Sequence, residues 1–107
     1  MSGVIVVAPP DAAWARQAEA LLADSRLHTA RVHDLGVVSL LLLAGGVRAV
    51  LVDHRCAGPG WPAQLDKLRR LSPRTRVTVI ASGGGQPAVA GAVPWPDDAG
   101  EALELVR

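Results

Sequence analysis

The chain has 107 residues, 50% hydrophobic and 20% charged, which is the composition of one domain with an ordinary core and not of a disordered, fibrous or multidomain protein. Eleven Lys and Arg against ten Asp and Glu leave a formal charge of +1, which excludes a field able to hold a phosphate backbone, and with it direct nucleic-acid binding by this domain. Cys56 is the single cysteine, so an internal disulfide and a CxxC metal knuckle are both excluded and a reducing compartment fits.

In chain order, residues 4–7 form a continuous β-branched run stopped by Pro9 and Pro10, which predicts a strand buried on both faces. Asp11 predicts the cap of a helix in which Trp14, Ala18, Leu21 and Leu22 recur at helical spacing. Residues 28–32 predict a short strand. Asp34 predicts the cap of a second helix over 35–44, stopped by Gly45 and Gly46. The apolar run from 37 to 44, broken by Ser39, is far below the ~20 residues a bilayer span requires. No basic stretch precedes an apolar one at the N-terminus, so a cytoplasmic location without membrane contact is expected.

Residues 48–52 predict a second buried strand, which delivers Asp53 at its C-terminal end. Gly58, Pro59 and Gly60 mark 54–60 as a loop, and a helix from Trp61 or Pro62 runs to Leu71, closed by Pro73. Residues 77–80 predict a strand ending at Ala81 and Ser82. The glycines at 83–85 with Pro87 do not hold a helix, so the helix expected between this strand and the next is reduced or absent. A short strand at Ala92 and Val93 and a helix from Asp97 or Asp98 to Val106 complete the chain.

Strands alternating with helices predict an α/β fold, a doubly wound five-stranded parallel sheet in the order 2-1-3-4-5, with residues 1–107 as a single domain. In such sheets the functional crevice lies at the C-terminal strand ends. That edge carries Ala8, Pro9, Asp11, Asp53, Ser82, Trp95 and Pro96.

The order of elements, with an aspartate closing the third strand, resembles the flavodoxin-like receiver domain of two-component response regulators over essentially the whole chain. Val50-Leu51-Val52-Asp53 looks like the strand ending in the family's phosphoacceptor, and the loop from Asp53 to Gly58 is similar to the one that follows, with Ala57 where proline is usual. Residues 64–71 are similar to its third helix. Trp95-Pro96-Asp97-Asp98 looks like its lysine-proline turn, with Trp95 in the lysine's place, and 101–106 like its last helix. The resemblance implies aspartyl phosphorylation assisted by a divalent cation, for which receivers supply two further acids just after strand one. Here those places hold Ala8 and Pro9, and the hydroxyl position falls on Ala81 or Ser82. Asp53 is therefore expected as a phosphoacceptor equivalent that is not phosphorylated, since the transfer needs oxygen-ligated Mg²⁺.

Other constellations are weaker. Asp53, His54 and Cys56 match no recurring zinc spacing, so neither a metal nor a cofactor is assigned. Ser82, His54 and Asp53 lack the GxSxG elbow of a triad, which leaves no catalytic residue. The helix over 35–44 is apolar nearly all round, and Val37, Leu40 and Leu41 are expected to form an interaction face, with Leu35, Val38 and Leu42 turned inward. The sequence thus predicts a non-enzymatic pseudo-receiver for signal transduction. It acts on a protein partner, a second copy of itself, or its own DNA-binding or ATPase output domain, and ends at Arg107 as the N-terminal part of a longer protein. The alternatives are a small-ligand or nucleotide-binding α/β domain using Ser82 and 83–85, or a genuine phospho-accepting receiver in which Asp11 replaces the missing acids.

Overall fold

The computed structural model describes residues 3–81 and 91–107. Five parallel strands, β1 (Gly3–Val7), β2 (His28–Val32), β3 (Val47–Asp53), β4 (Arg76–Ala81) and β5 (Val93–Pro94), pair in the order β2-β1-β3-β4-β5, as expected. Among the described residues four helices flank them: α1 (Ala13–Asp24), α2 (Leu35–Ala44), α3 (Trp61–Leu71) and α4 (Ala99–Glu104). The expected reduction of a helix after β4 falls on 82–90, outside the described residues.

Strands β1 and β3 are central, so both of their faces are covered, which is why their sequences run on as aliphatic residues instead of alternating. Val4, Val6, Ala49, Leu51 and Ile80 point to one layer, where Trp14, Ala15, Ala18 and Leu22 of α1, Leu103 of α4 and Val106 after it cover them. Ile5, Val7, Val50, Val52 and Val79 point to the other, under Leu35, Val38 and Leu42 of α2 and Trp61 and Leu68 of α3. Register pairs Ile5 with Ala30 on one side and Val50 on the other, which brings the C-terminal ends of β1 and β3 together at Val7 and Val52. Ala8 and Asp53 follow directly.

Among the described residues only Asp53 and Thr75 are buried polar side chains. Thr75 closes the turn before β4: its hydroxyl donates to the Val47 carbonyl at 2.9 Å, so the hydroxyl of Ser72 donates to Thr75 in turn. The first residue of β3 is thereby tied to the end of α3.

Three local expectations are corrected. Asp11 does not cap α1: the cap position is Ala12, without a side-chain hydrogen bond, and the Asp11 carboxylate turns to Arg55 instead. The last helix ends at Glu104, short of Val106, because Val106 is drawn into a tighter turn that bonds its N–H to Leu103. Residues 54–56, read as loop, form a 3-10 turn. Asp34 does cap α2, accepting from the Gly36 amide at 2.9 Å, and Gly45 and Gly46 end it with φ of 83° and 79°.

The burial of α2 departs from expectation at one residue. Leu35, Val38 and Leu42 are buried, and Val37 and Leu40 are exposed at 40% and 68%. Leu41 is half-buried, leaning beside Ile5 and Ala30 at the start of β1 and β2, and Leu43 is the second leucine with 68% exposure. Leu41 packs against the layer that holds Ile5 and Val50, so the exposed stripe of α2 runs through Val37, Leu40 and Leu43.

Candidate functional site

Asp53 is the last residue of β3, and its side chain is fully buried. A buried carboxylate is costly unless it is paired and hydrogen-bonded, and this one is both. Its Oδ1 accepts from the Arg55 backbone amide at 2.8 Å, which makes Asp53 the cap of the 3-10 turn His54–Cys56. That turn brings the Arg55 side chain back over the same carboxylate, where Nε donates to Oδ1 and Nη2 to Oδ2, each at 3.2 Å, a two-pronged contact. From below, the Trp14 indole Nε1 donates to Oδ2 at 2.8 Å. The bond to Asp53 holds the Arg55 guanidinium above its ordinary pKa. Burial, followed by the charge of Asp53, pushes the Cys56 thiol up.

Trp14 reaches this point because it is the second residue of α1, whose inner face is otherwise alanine and leucine packed flat on the sheet. Its ring lies 5.7 Å from that of Trp95, tilted by 37°. Arg55 reaches outward as well, with Nη1 3.6 Å from Oδ1 of the exposed Asp11. Together these residues line an open cleft of about 540 Å³ whose walls include Gln17, Ala81 and Pro94.

The crevice residues expected from sequence are only partly gathered here. Asp11 and Trp95 line the cleft, and Asp53 lies buried behind it, bonded to Arg55 and Trp14 of its wall. Ala8 is buried, its N–H donating to Val32 at 3.1 Å and its carbonyl accepting from His33 Nδ1 at 2.8 Å. The Pro9 carbonyl accepts from Arg31 Nη2 at 2.8 Å, and Arg31 is also paired with Glu19. Pro96 lies one recess away, beside Leu21 and Ala99. Ser82 falls outside the described residues. Val37, Leu40 and Leu41 belong to α2, on the opposite layer. Sequence reasoning missed Arg55 and the role of Trp14. The signals for them were an arginine two residues after a capping aspartate, and a tryptophan whose indole N–H needs a buried acceptor.

The residues do not fit the divalent cation that the resemblance implied. Ala8 and Pro9 offer no carboxylate, their carbonyls already accept from His33 and Arg31, and Asp53 receives Arg55 and Trp14 on its two oxygens. A cation of this kind wants six oxygens at about 2.1 Å.

No protein-family model and no curated protein matches the chain. Solved structures do. The chain is similar to NtrX from Brucella abortus in complex with ADP, with a TM-score of 0.68 and 19% identity, over 98% of this chain and 25% of that one. It is similar to a CheY-like response regulator receiver domain protein from Methanospirillum hungatei, with a TM-score of 0.60 and 20% identity, over 97% and 90% of the two chains. The receiver domain of NtrC4 from Aquifex aeolicus matches with a TM-score of 0.63 and 14% identity over 100% of both. The chain thus has the fold of response-regulator receiver domains, and spans a quarter of the NtrX chain.

Proposed function

We propose that this domain is a phosphorylation-independent receiver-like regulatory module, non-enzymatic and cytoplasmic, that acts through contact with a protein partner or an attached output domain. The observation that carries this reading is the engagement of both Asp53 oxygens by Trp14 and Arg55, at the strand end where receivers of this fold carry their phosphoacceptor. A phosphoryl donor would have to displace a two-pronged arginine and an indole from a buried carboxylate, with no divalent cation to neutralise the transferred group. The uncharged face of α2, with Val37, Leu40 and Leu43 turned outward, supports association with another protein or a second copy.

The test is exposure to acetyl phosphate and Mg²⁺ followed by intact-mass measurement. Unmodified protein is the expected result. Addition of one phosphate, absent in Asp53→Asn, would make the domain an authentic phospho-accepting receiver. A second reading, a small-ligand domain, draws on the cleft of about 540 Å³ between Trp14, Trp95 and Arg55. Titration with ADP, followed by tryptophan emission, separates it from the first.

A further inference from the structure

In the segment that follows β1, backbone oxygen atoms are met by nitrogen donors of basic side chains. The Ala8 carbonyl accepts from His33 at 2.8 Å, the Pro9 carbonyl from Arg31 at 2.8 Å, and the Pro10 carbonyl from Arg16 at 3.4 Å. Arg55 stands between the two carboxylates of the crevice, bonded to both oxygens of Asp53 at 3.2 Å and 3.6 Å from Asp11. It is the group in contact with both acids, and its side chain is 42% exposed toward the cleft. Because the 3-10 turn that Asp53 itself caps sets its direction, the arginine is delivered by the acid it neutralises.

We infer that Arg55 is the resident cation of this centre: its guanidinium neutralises Asp53 and Asp11 permanently and so keeps divalent cations out. The physical case is one of charge and shape. A guanidinium is weakly hydrated and planar and meets a carboxylate with two parallel donors, so it holds a buried carboxylate without the ring of oxygen ligands that a small divalent ion demands. A divalent ion entering beside Arg55 would meet a positive charge at contact distance, held there by the buried carboxylate of Asp53. Removing Arg55 leaves a buried aspartate beside an exposed one, an arrangement that attracts a hard cation. This inference is separate from the proposed absence of phosphorylation, since a domain that accepts no phosphate could still bind a divalent ion.

The experiment is a Mn²⁺ titration of the full chain read by quenching of tryptophan emission, Trp14 being in contact with Asp53. Wild-type protein is expected to show no saturable quenching up to about 10 mM, a range that covers weak oxygen-ligated sites. Arg55→Gln is expected to quench with at least a tenfold lower half-saturation, and Asp53→Asn in that background to lose the response. Guanidinium ion, but not urea, should compete with Mn²⁺ in Arg55→Gln. Saturable quenching of wild type equal to that of the variant overturns the inference, as does an Arg55→Gln protein that folds and does not respond. If Arg55→Gln does not fold, the combination with Asp53→Asn decides: recovery of folding supports charge neutralisation by Arg55, and failure to recover sinks it.

Discussion

Trp14 and Asp53 are 39 residues apart in the chain and are joined by a 2.8 Å hydrogen bond from the indole Nε1 to Oδ2, with 5% of the tryptophan and none of the aspartate exposed. The bond couples the start of α1 to the end of β3. It also places an aromatic ring, in a domain without Phe or Tyr, over the point where receivers of this fold do their chemistry.

Trp14→Phe keeps an aromatic body and removes the donor, leaving a buried carboxylate with one partner fewer. Hydrogen bonds to charged groups contribute about 2 kcal/mol, so the variant is expected to melt roughly 10 °C lower. Trp95→Phe, at a half-buried ring that packs on Trp14, should shift far less. Calorimetry on both variants checks the contrast, and equal shifts would show that ring volume, not the bond, sets the stability.

On α2 the exposed leucines are Leu40 and Leu43, and the buried ones nearest them include Leu42, 5% exposed. Leu40→Glu with Leu43→Glu is expected to leave circular dichroism unchanged and to weaken association with a partner or a second copy. Leu42→Glu, which forces a charge into the layer shared with Val50 and Trp61, should abolish folding. Sedimentation of wild type and the double variant is the measurement, and a double variant that unfolds would refute the assignment of the outer face.

Thr75→Val tests the clamp between α3 and β3. The shape is retained, but the Val47 carbonyl loses its 2.9 Å donor and Ser72 loses its acceptor. A loss of about 1 kcal/mol, or roughly 5 °C in melting temperature, is expected by chemical and thermal denaturation.

Cys56 carries a pH dependence. Burial holds its thiol above the ordinary value of 9.0, so the folded protein retains the proton more tightly than the unfolded chain. The stability associated with the neutral thiol is therefore fully present below pH 9 and falls as pH rises from there through the raised folded value. Cys56→Ala should flatten that alkaline slope. At pH 8 the native thiol should react more slowly with a disulfide reagent than the same thiol in denaturant, and an equal rate would contradict the shift.

The strand order, the two faces of the sheet and the position of Asp53 were legible because they rest on local signals. Aliphatic runs at 4–7 and 48–52 have no polar side to turn to water, so they belong in the centre of a parallel sheet. Asp34 before an apolar helix and paired glycines after it mark both ends of α2 by backbone chemistry alone. The absence of acids at Ala8 and Pro9 is equally a matter of reading residues in order.

What the tertiary structure alone decided is who holds Asp53. Asp11 is expected from sequence to cap α1, yet it lies one residue before the cap position, held by Ala12, and its carboxylate is drawn toward Arg55. Arg55 is sent back to Asp53 by a 3-10 turn that no propensity announced, and Trp14 arrives only once α1 lies flat across β1 and β3. In the same way Leu41, expected on the outer face of α2, packs against the layer of Ile5 and Val50 while Leu43 stays exposed, a distinction that the helical repeat alone does not contain. Local sequence specifies backbone torsions and the sidedness of each element, whereas the partners of a buried charge are chosen by how those elements pack, because only packing removes water and leaves the carboxylate to its nearest donors.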